Sequence, residues 1–248
     1  MCKLLVCLIA LAAIGCGQSF AAVARQACAS EAYKTPSTSF IYTGVTVSPG
    51  TNLALTITIS FDIAEGTSTP TVSSVVWDQA GANQALTLVN AGQTSSGLGP
   101  NVETWALINP TPGASKTITI TTSLSDPVFL SACAWTGVDQ TGGATSFPHA
   151  ASARSATTVA VTSAAGNAVL GGGEAGVALS GITGTTIYSD SVSGANMNAF
   201  SNFDVGSASV NIGSADNNAI VVGTDIQAAG GGGSSCRTGS LALMGAGC

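Results

Sequence analysis

The sequence predicts an all-β protein, a single jelly-roll-like β-sandwich preceded by a signal peptide. Only 7% of the 248 residues are charged and 45% are hydrophobic, so charges seldom interrupt the apolar segments. Thr, Ser, Val and Ile alternate in short runs, which is the period-two pattern of β-strands. Clusters of Gly and Pro separate the runs, and no sustained helical period follows the leader. Many short strands with regular turn signals are typical of a sandwich or jelly roll.

The first 22 residues are predicted to be a secretory signal peptide. Lys3 precedes a short apolar run over residues 4–14, and small residues follow near Ala22 and Ala24, where cleavage is expected. The run is short for a membrane span, which needs about 20 apolar residues. An imperfect lipobox ending at Cys16 leaves a lipid anchor open as one alternative. An uncleaved membrane anchor is a second alternative. The mature chain is therefore expected to be secreted or held at the cell surface, without a transmembrane span.

The remaining chain, residues 23–248, is long enough for one large β domain. Its clearest strand covers residues 53–61, where odd positions are large and apolar and even positions are small or hydroxylated. This pattern predicts one buried face and one wet face. Further strands are predicted at 72–77, 85–89, 103–108, 117–121, 128–135, 158–161, 168–170, 219–222 and 241–244. Residues 178–216 are rich in Ser, Gly, Thr and Asn and predict weak edge strands and long loops, with a binding edge as the alternative.

Cysteine spacing fits an exported chain. Of the seven cysteines, three lie in the leader, and Cys28, Cys133, Cys236 and Cys248 remain. An even number in an exported protein predicts two disulfides. Their positions favour Cys28–Cys133 with Cys236–Cys248, and the two other connectivities stay open. Zinc is disfavoured, since these cysteines lack close spacing and the only histidine is distant.

Charge excludes one large class of partner. The formal net charge is −6 and the pI is about 4.4. Nucleic-acid binding requires a basic stripe that replaces counterions on phosphate, and the sequence contains none. The same shortage of Lys and Arg disfavours an anionic membrane surface.

The inventory of reactive side chains predicts that the protein is not an enzyme. A Ser–His–Asp triad would have to use His149, which lies in a loop-like stretch, and no G-x-S-x-G elbow is present. Residues 171–176 fit G-x-G-x-x-G, but the helix that a dinucleotide site needs does not follow, so a glycine-rich turn or bulge is expected. Glu103 is the best glycosidase candidate, and a solvated strand residue is the more ordinary reading.

Binding residues are predicted mainly among the aromatic side chains. Glu103 and Trp105 are two apart on one strand and so share a face, which could contact a sugar. The three tryptophans, Trp77, Trp105 and Trp135, are nevertheless expected in the core, because apolar strands surround them. Tyr33, Tyr42 and Tyr188 lie in more polar surroundings and are expected to be exposed, with Tyr42 and Tyr188 as ligand contacts.

Calcium is the one cofactor that the sequence leaves open. Asp139 and Asp216, with Asp62 as a further candidate, could supply oxygen ligands that clip loops together. Asp is also a default turn residue, because its side chain bonds to nearby backbone.

The segment Gly137-Val138-Asp139-Gln140-Thr141 stands out together with several apolar stretches before it. These segments resemble a loosely defined family of bacterial secreted and phage-associated β-sandwich domains, in which G-V-D-Q-T is the most specific shared segment. The resemblance covers residues 40–175 and includes the stretches 45–47, 52–55, 72–78, 84–87, 102–107, 112–120 and 135–141. It implies a jelly-roll-like fold on surface or virion proteins, and it brings no established activity and no catalytic residue.

The function expected from these observations is that of a non-enzymatic exported binding module. Its partner is expected to be a glycan or a cell-surface protein. The alternative is a structural subunit that self-assembles on a cell surface or virion through strand edges. A binder should show exposed aromatic side chains clustered in one groove, whereas a subunit should show long, flat, uncharged edges and form oligomers in solution.

Overall fold

The structure is a computed structural model that describes residues 22–61, 70–92, 102–176, 178–192, 197–215 and 219–230. Strands dominate these ranges, which confirms the all-β prediction, and a short 3₁₀ helix covers Gly143–Ser146. The strands are β1 (Ala24–Val47), β2 (Ala54–Phe61), β3 (Val72–Trp77), β4 (Gln84–Ala85), β5 (Thr87–Gly92), β6 (Val102–Ile108), β7 (Gly113–Thr136), β8 (Ala150–Ala156), β9 (Thr158–Thr162), β10 (Ala168–Ala175), β11 (Thr185–Val192), β12 (Met197–Val205), β13 (Ser209–Gly213) and β14 (Ala219–Ile226).

A seven-stranded antiparallel sheet forms the first half of the molecule, in the order β4-β3-β7-β2-β6-β5, with β1 also paired to β7. The first half of β7 pairs with β3 and its second half pairs with β2. Because one strand serves both partners, the sheet folds back over a core of its own. Leu55 and Ile57 of β2 meet Trp77 of β3 and Ile118 of β7 in that core.

The second half of the chain forms a five-stranded sheet, β11-β12-β10-β14-β8, and a two-stranded sheet, β13-β9. A second core lies between the first sheet and the five-stranded sheet, where Ala54 and Trp135 meet Leu170 and Ile226. A third core joins the other face of the five-stranded sheet to β9 and β13. The described parts of both halves therefore share buried surface, and jelly-roll connectivity stays a prediction.

Strands β2, β10 and β14 are buried at every position, so the prediction of a wet face on residues 53–61 is wrong. The hydroxylated face of β2 packs against the five-stranded sheet. There, Trp135 Nε1 donates to Thr56 Oγ1 at 2.8 Å. A Cβ at Gly172 of β10 would overlap the methyl group of Thr58. The glycine run at 171–173 is thus part of a buried strand, and the expectation of a turn or bulge is wrong.

One disulfide is present among the described residues, and it confirms the predicted Cys28–Cys133 pair. It joins β1 to β7 at directly paired positions, across 105 residues of sequence. Cys236 and Cys248 lie outside the described residues, as do Cys16 and all but the last residue of the predicted signal peptide. No helix in the described ranges is long and apolar enough to cross a membrane.

Substitution of Gly172 by Ala tests the close approach of the two large sheets. The added Cβ would overlap the methyl group of Thr58, and overpacking of this kind typically lowers the free energy of unfolding by about 1–3 kcal/mol. Urea unfolding followed by tryptophan fluorescence measures the loss. Gly230→Ala is the matched control, since a Cβ there meets nothing within 4 Å. Equal effects of the two substitutions would contradict the packing described.

Candidate functional site

Three segments that are distant in sequence enclose a cavity of about 430 Å³. They are the turn between β9 and β10, the residues that precede β8, and the end of β14. The cavity is lined by Pro148, His149, Ser163, Ala164, Ala165, Asn167, Asp225, Gln227, Ala228 and Gly230. Five of these residues are polar and the other five are Pro, Ala or Gly, and none of them is Phe, Tyr, Trp, Lys or Arg.

The side chain of Asp225 organises the cavity wall. Asp225 is fully buried on β14, and its Oδ1 accepts a hydrogen bond from Ser163 Oγ at 2.5 Å. Asn167 Nδ2 donates to Asp225 Oδ1 at 3.1 Å and to Oδ2 at 3.0 Å. Asn167 Oδ1 in turn accepts the backbone N–H of Ala228 at 2.9 Å. These bonds fix the β9–β10 turn against the end of β14, so the wall is preorganised.

Burial raises the pKa of the Asp225 carboxyl group above its ordinary value. The hydrogen bonds from Ser163 and Asn167 and the nearby imidazole of His149 act in the opposite direction, and burial outweighs them. The charge is expensive in this position because the donors from Ser163 and Asn167 are neutral. The carboxyl group therefore lies at the cavity wall in surroundings that disfavour its charged form.

Backbone hydrogen bonds connect the cavity to the segment that carries G-V-D-Q-T. The N–H of Asp225 donates to the carbonyl of His149 at 2.8 Å, and the N–H of Gln227 donates to the carbonyl of Ser146 at 2.9 Å. The carbonyl of Gln227 accepts the N–H of Asp139 at 2.9 Å. The short 3₁₀ helix and the G-V-D-Q-T turn thus hold the end of β14 in place.

Asp139 uses its carboxylate within its own turn. Its Oδ1 accepts the backbone N–H of Thr141 at 3.1 Å and the hydroxyl of Thr141 at 2.9 Å. This is the ordinary turn chemistry that the sequence left open beside calcium. No group of three or more His, Cys, Asp or Glu suited to a metal ion occurs in the described ranges. Asp216 and Asp62 lie outside the described residues, and a calcium site stays a prediction.

The predicted ligand contacts do not line this cavity. Tyr42 is 2% exposed, so the expectation of an exposed side chain is wrong. Tyr188 is half-buried, and its ring packs against Phe129 at a centroid distance of 5.8 Å. Burial raises the pKa of both tyrosines. The polar sequence around Tyr42 misled the expectation, because its strand alternates and the tyrosine lies on the inward side.

Glu103 and Trp105 do share a face, as predicted, but both are buried. Glu103 Oε2 accepts Trp105 Nε1 at 2.7 Å, and Oε1 accepts the backbone N–H of Val72 at 3.1 Å. Glu103 is only 3% exposed, so the expectation of a solvated residue is wrong. The carboxylate joins β6 to the start of β3. Burial of Trp77, Trp105 and Trp135 confirms their prediction as core residues.

Sequence reasoning missed Asp225, Ser163 and Asn167 as a group. The available signal was a lone Asp at the end of an apolar strand, together with two polar residues in a turn 58–62 positions earlier. His149 is exposed, as expected, and lies on the cavity wall. Ser163 donates directly to Asp225, so its proton is not aimed at an imidazole as it is in a Ser–His–Asp triad.

The raised pKa of Asp225 predicts a specific pH dependence of stability. The folded protein keeps this proton to a higher pH than the unfolded chain, in which Asp titrates near about 3.9. The contribution of Asp225 to the free energy of unfolding therefore falls as the pH rises from about 3.9 through the raised folded-state pKa. The stability difference between wild type and Asp225→Asn, measured by urea unfolding across this range, should decline with pH and then level off.

The matched control is Asp78→Asn. The hydrogen bond from Lys116 lowers the pKa of Asp78, so the stability that this carboxylate contributes is present above about pH 3.9 and is lost as the pH falls through its folded-state pKa. Its difference curve should therefore rise with pH. A flat curve for Asp225→Asn would contradict the assignment of a buried, disfavoured charge.

Comparison of the chain with protein-family models, with curated proteins and with solved structures finds no match.

Proposed function

We propose that this chain is a non-enzymatic, exported binding module that holds a glycan in the cavity beside Asp225. The observation that carries the proposal is the buried Asp225 carboxylate, which fixes Ser163 and Asn167 at the wall of an open cavity. A buried charge whose role is to hold two polar side chains at a concave surface is typical of a preorganised binding site.

The dimensions and the accessible groups of the cavity suit a saccharide. Ligand pockets usually measure about 300–1,000 Å³, and this cavity of about 430 Å³ lies in that range. His149 is exposed, and Ser163, Asn167 and Gln227 are partly exposed. Imidazole, hydroxyl and amide groups suit sugar hydroxyls, because each hydroxyl can both donate and accept a hydrogen bond.

The strand edges give less support to self-assembly, the alternative function. β1 pairs only with β7 among the described strands, but five register shifts interrupt its length, and shifts of this kind blunt an edge against pairing with another chain. β11 carries a register shift between Thr186 and Tyr188. At the edge formed by β5, Asn90 Nδ2 donates to the carbonyls of Ala151 and Gly223 at 3.0 and 2.9 Å, which joins β5 to the neighbouring sheet.

A glycan panel with the purified oxidised protein tests the proposal. Binding of a defined saccharide should be lost or reduced at least about tenfold in Gln227→Ala and Ser163→Ala, since each substitution removes a hydrogen-bonding group from the cavity wall. Isothermal titration calorimetry measures the change. Ser189→Ala is the matched control, because Ser189 is an exposed serine that lines a different cavity.

Two results would overturn the proposal. One is the absence of binding across the panel, and the other is binding that survives both cavity substitutions. Light scattering across a concentration series tests the alternative function, that of a structural subunit. Large oligomers at low protein concentration would favour that alternative. A monomer that binds a saccharide would favour the binding module.

A further inference from the structure

The hydrogen bonds to Asp225 determine which polar atoms remain for a ligand. At a pH above its raised pKa, the Asp225 carboxylate only accepts hydrogen bonds, so Ser163 then directs its single proton to Asp225 Oδ1. The hydroxyl of Ser163 therefore presents lone pairs to the cavity and no proton. Asn167 directs Nδ2 to both carboxylate oxygens, and its Oδ1 keeps one lone pair beyond the bond from Ala228. Ser163 and Asn167, two of the five polar side chains that line the cavity, thereby present acceptor atoms to it.

The electrostatic potential at the cavity also favours a ligand that carries a positive charge. The Asp225 carboxylate is fully buried, and the donors from Ser163 and Asn167 are neutral. Neither lysine nor arginine is among the described residues that line the cavity, and the chain has a formal net charge of −6. His149 is the basic side chain among the described residues of the wall. A ligand that brings a positive charge would meet both a negative potential and acceptor atoms.

We infer that the glycan bound at this cavity is an amino sugar with a free, protonated amine, which donates to Ser163 Oγ and Asn167 Oδ1 in front of the buried Asp225. This inference rests on the proposed function, since it names the class of sugar held at the same site. A neutral sugar hydroxyl can also donate there, but it brings no charge to the carboxylate. An N-acetylated amine brings neither a charge nor a compact donor.

Three matched probes separate these chemistries in the wild-type protein. They are methyl 6-amino-6-deoxyglucoside, its N-acetylated form and methyl glucoside, each titrated at pH 7 by calorimetry and by protein NMR. The amine should bind about tenfold more tightly than either neutral probe, since a charge-assisted hydrogen bond is roughly twice as strong as a neutral one. Its advantage should shrink with added salt, and the amide resonances of residues 163–167 should shift.

Asp225→Asn removes the buried charge and should reduce the preference for the amine over methyl glucoside to less than about threefold. Asp139→Asn is the matched control, because it removes a nearby charge that does not line the cavity. If Asp225→Asn does not fold, the comparison of the three probes in the wild-type protein still decides the question.

The outcomes distinguish this inference from the function on which it rests. Equal binding of the three probes, or tighter binding of the acetylated form, would overturn the amino-sugar assignment and leave glycan binding intact. Loss of the preference in Asp139→Asn as well as in Asp225→Asn would also overturn it, since the effect would then follow overall charge. Failure of every saccharide to bind would remove the proposed function itself.

Discussion

The close packing of β2 against β10 is the constraint on which the rest of the structure depends. Both strands are buried on both faces, so each must present a surface without bulk toward the other. β2 does this with the small and hydroxylated side chains at its even positions, and β10 does it with glycine at 172, where a Cβ would overlap Thr58. Among these side chains, the hydroxyl of Thr56 accepts the indole N–H of Trp135 at 2.8 Å. The two sheets can therefore approach closely at Gly172, beside the second core that contains Leu170 and Ile226.

This stacking determines where the candidate site forms. β10 pairs with β14, so burial of β10 under the first sheet carries β14 into the interior as well. Alternation along β14 then directs Ile226 toward the first sheet and Asp225 toward the turn that follows β9. The carboxylate has no route to water, and Ser163 and Asn167 satisfy it instead. Burial of β14 thus requires that Ser163 and Asn167 bond to Asp225, and these bonds fix the polar part of the cavity wall.

The sequence predicted the class of fold because alternation and turn residues are local signals, as in residues 117–121 and 53–61. It failed at β1, where Pro36 and five register shifts break the pattern, and pairing with β7 supplies the order that the segment lacks by itself. It also assigned a wet face to β2, since a hydroxylated row looks the same whether water or a second sheet covers it. The site escaped prediction because Asp225 and its partners meet only through the pairing of β14 with β10 and β8.

Because charged residues are scarce in this chain, the charge state of the buried Asp225 strongly affects the candidate site. In a chain with many ionisable residues, a buried carboxylate would ordinarily be matched by a lysine or arginine, and its field would be cancelled locally. Here only 7% of residues are charged, and the donors from Ser163 and Asn167 are neutral dipoles, which stabilise the charge without neutralising it. These neutral donors also direct their O–H and N–H groups to the carboxylate and leave acceptor atoms for a ligand. A low-charge fold with one buried carboxylate behind a cavity is therefore suited to a ligand that itself supplies the missing positive charge.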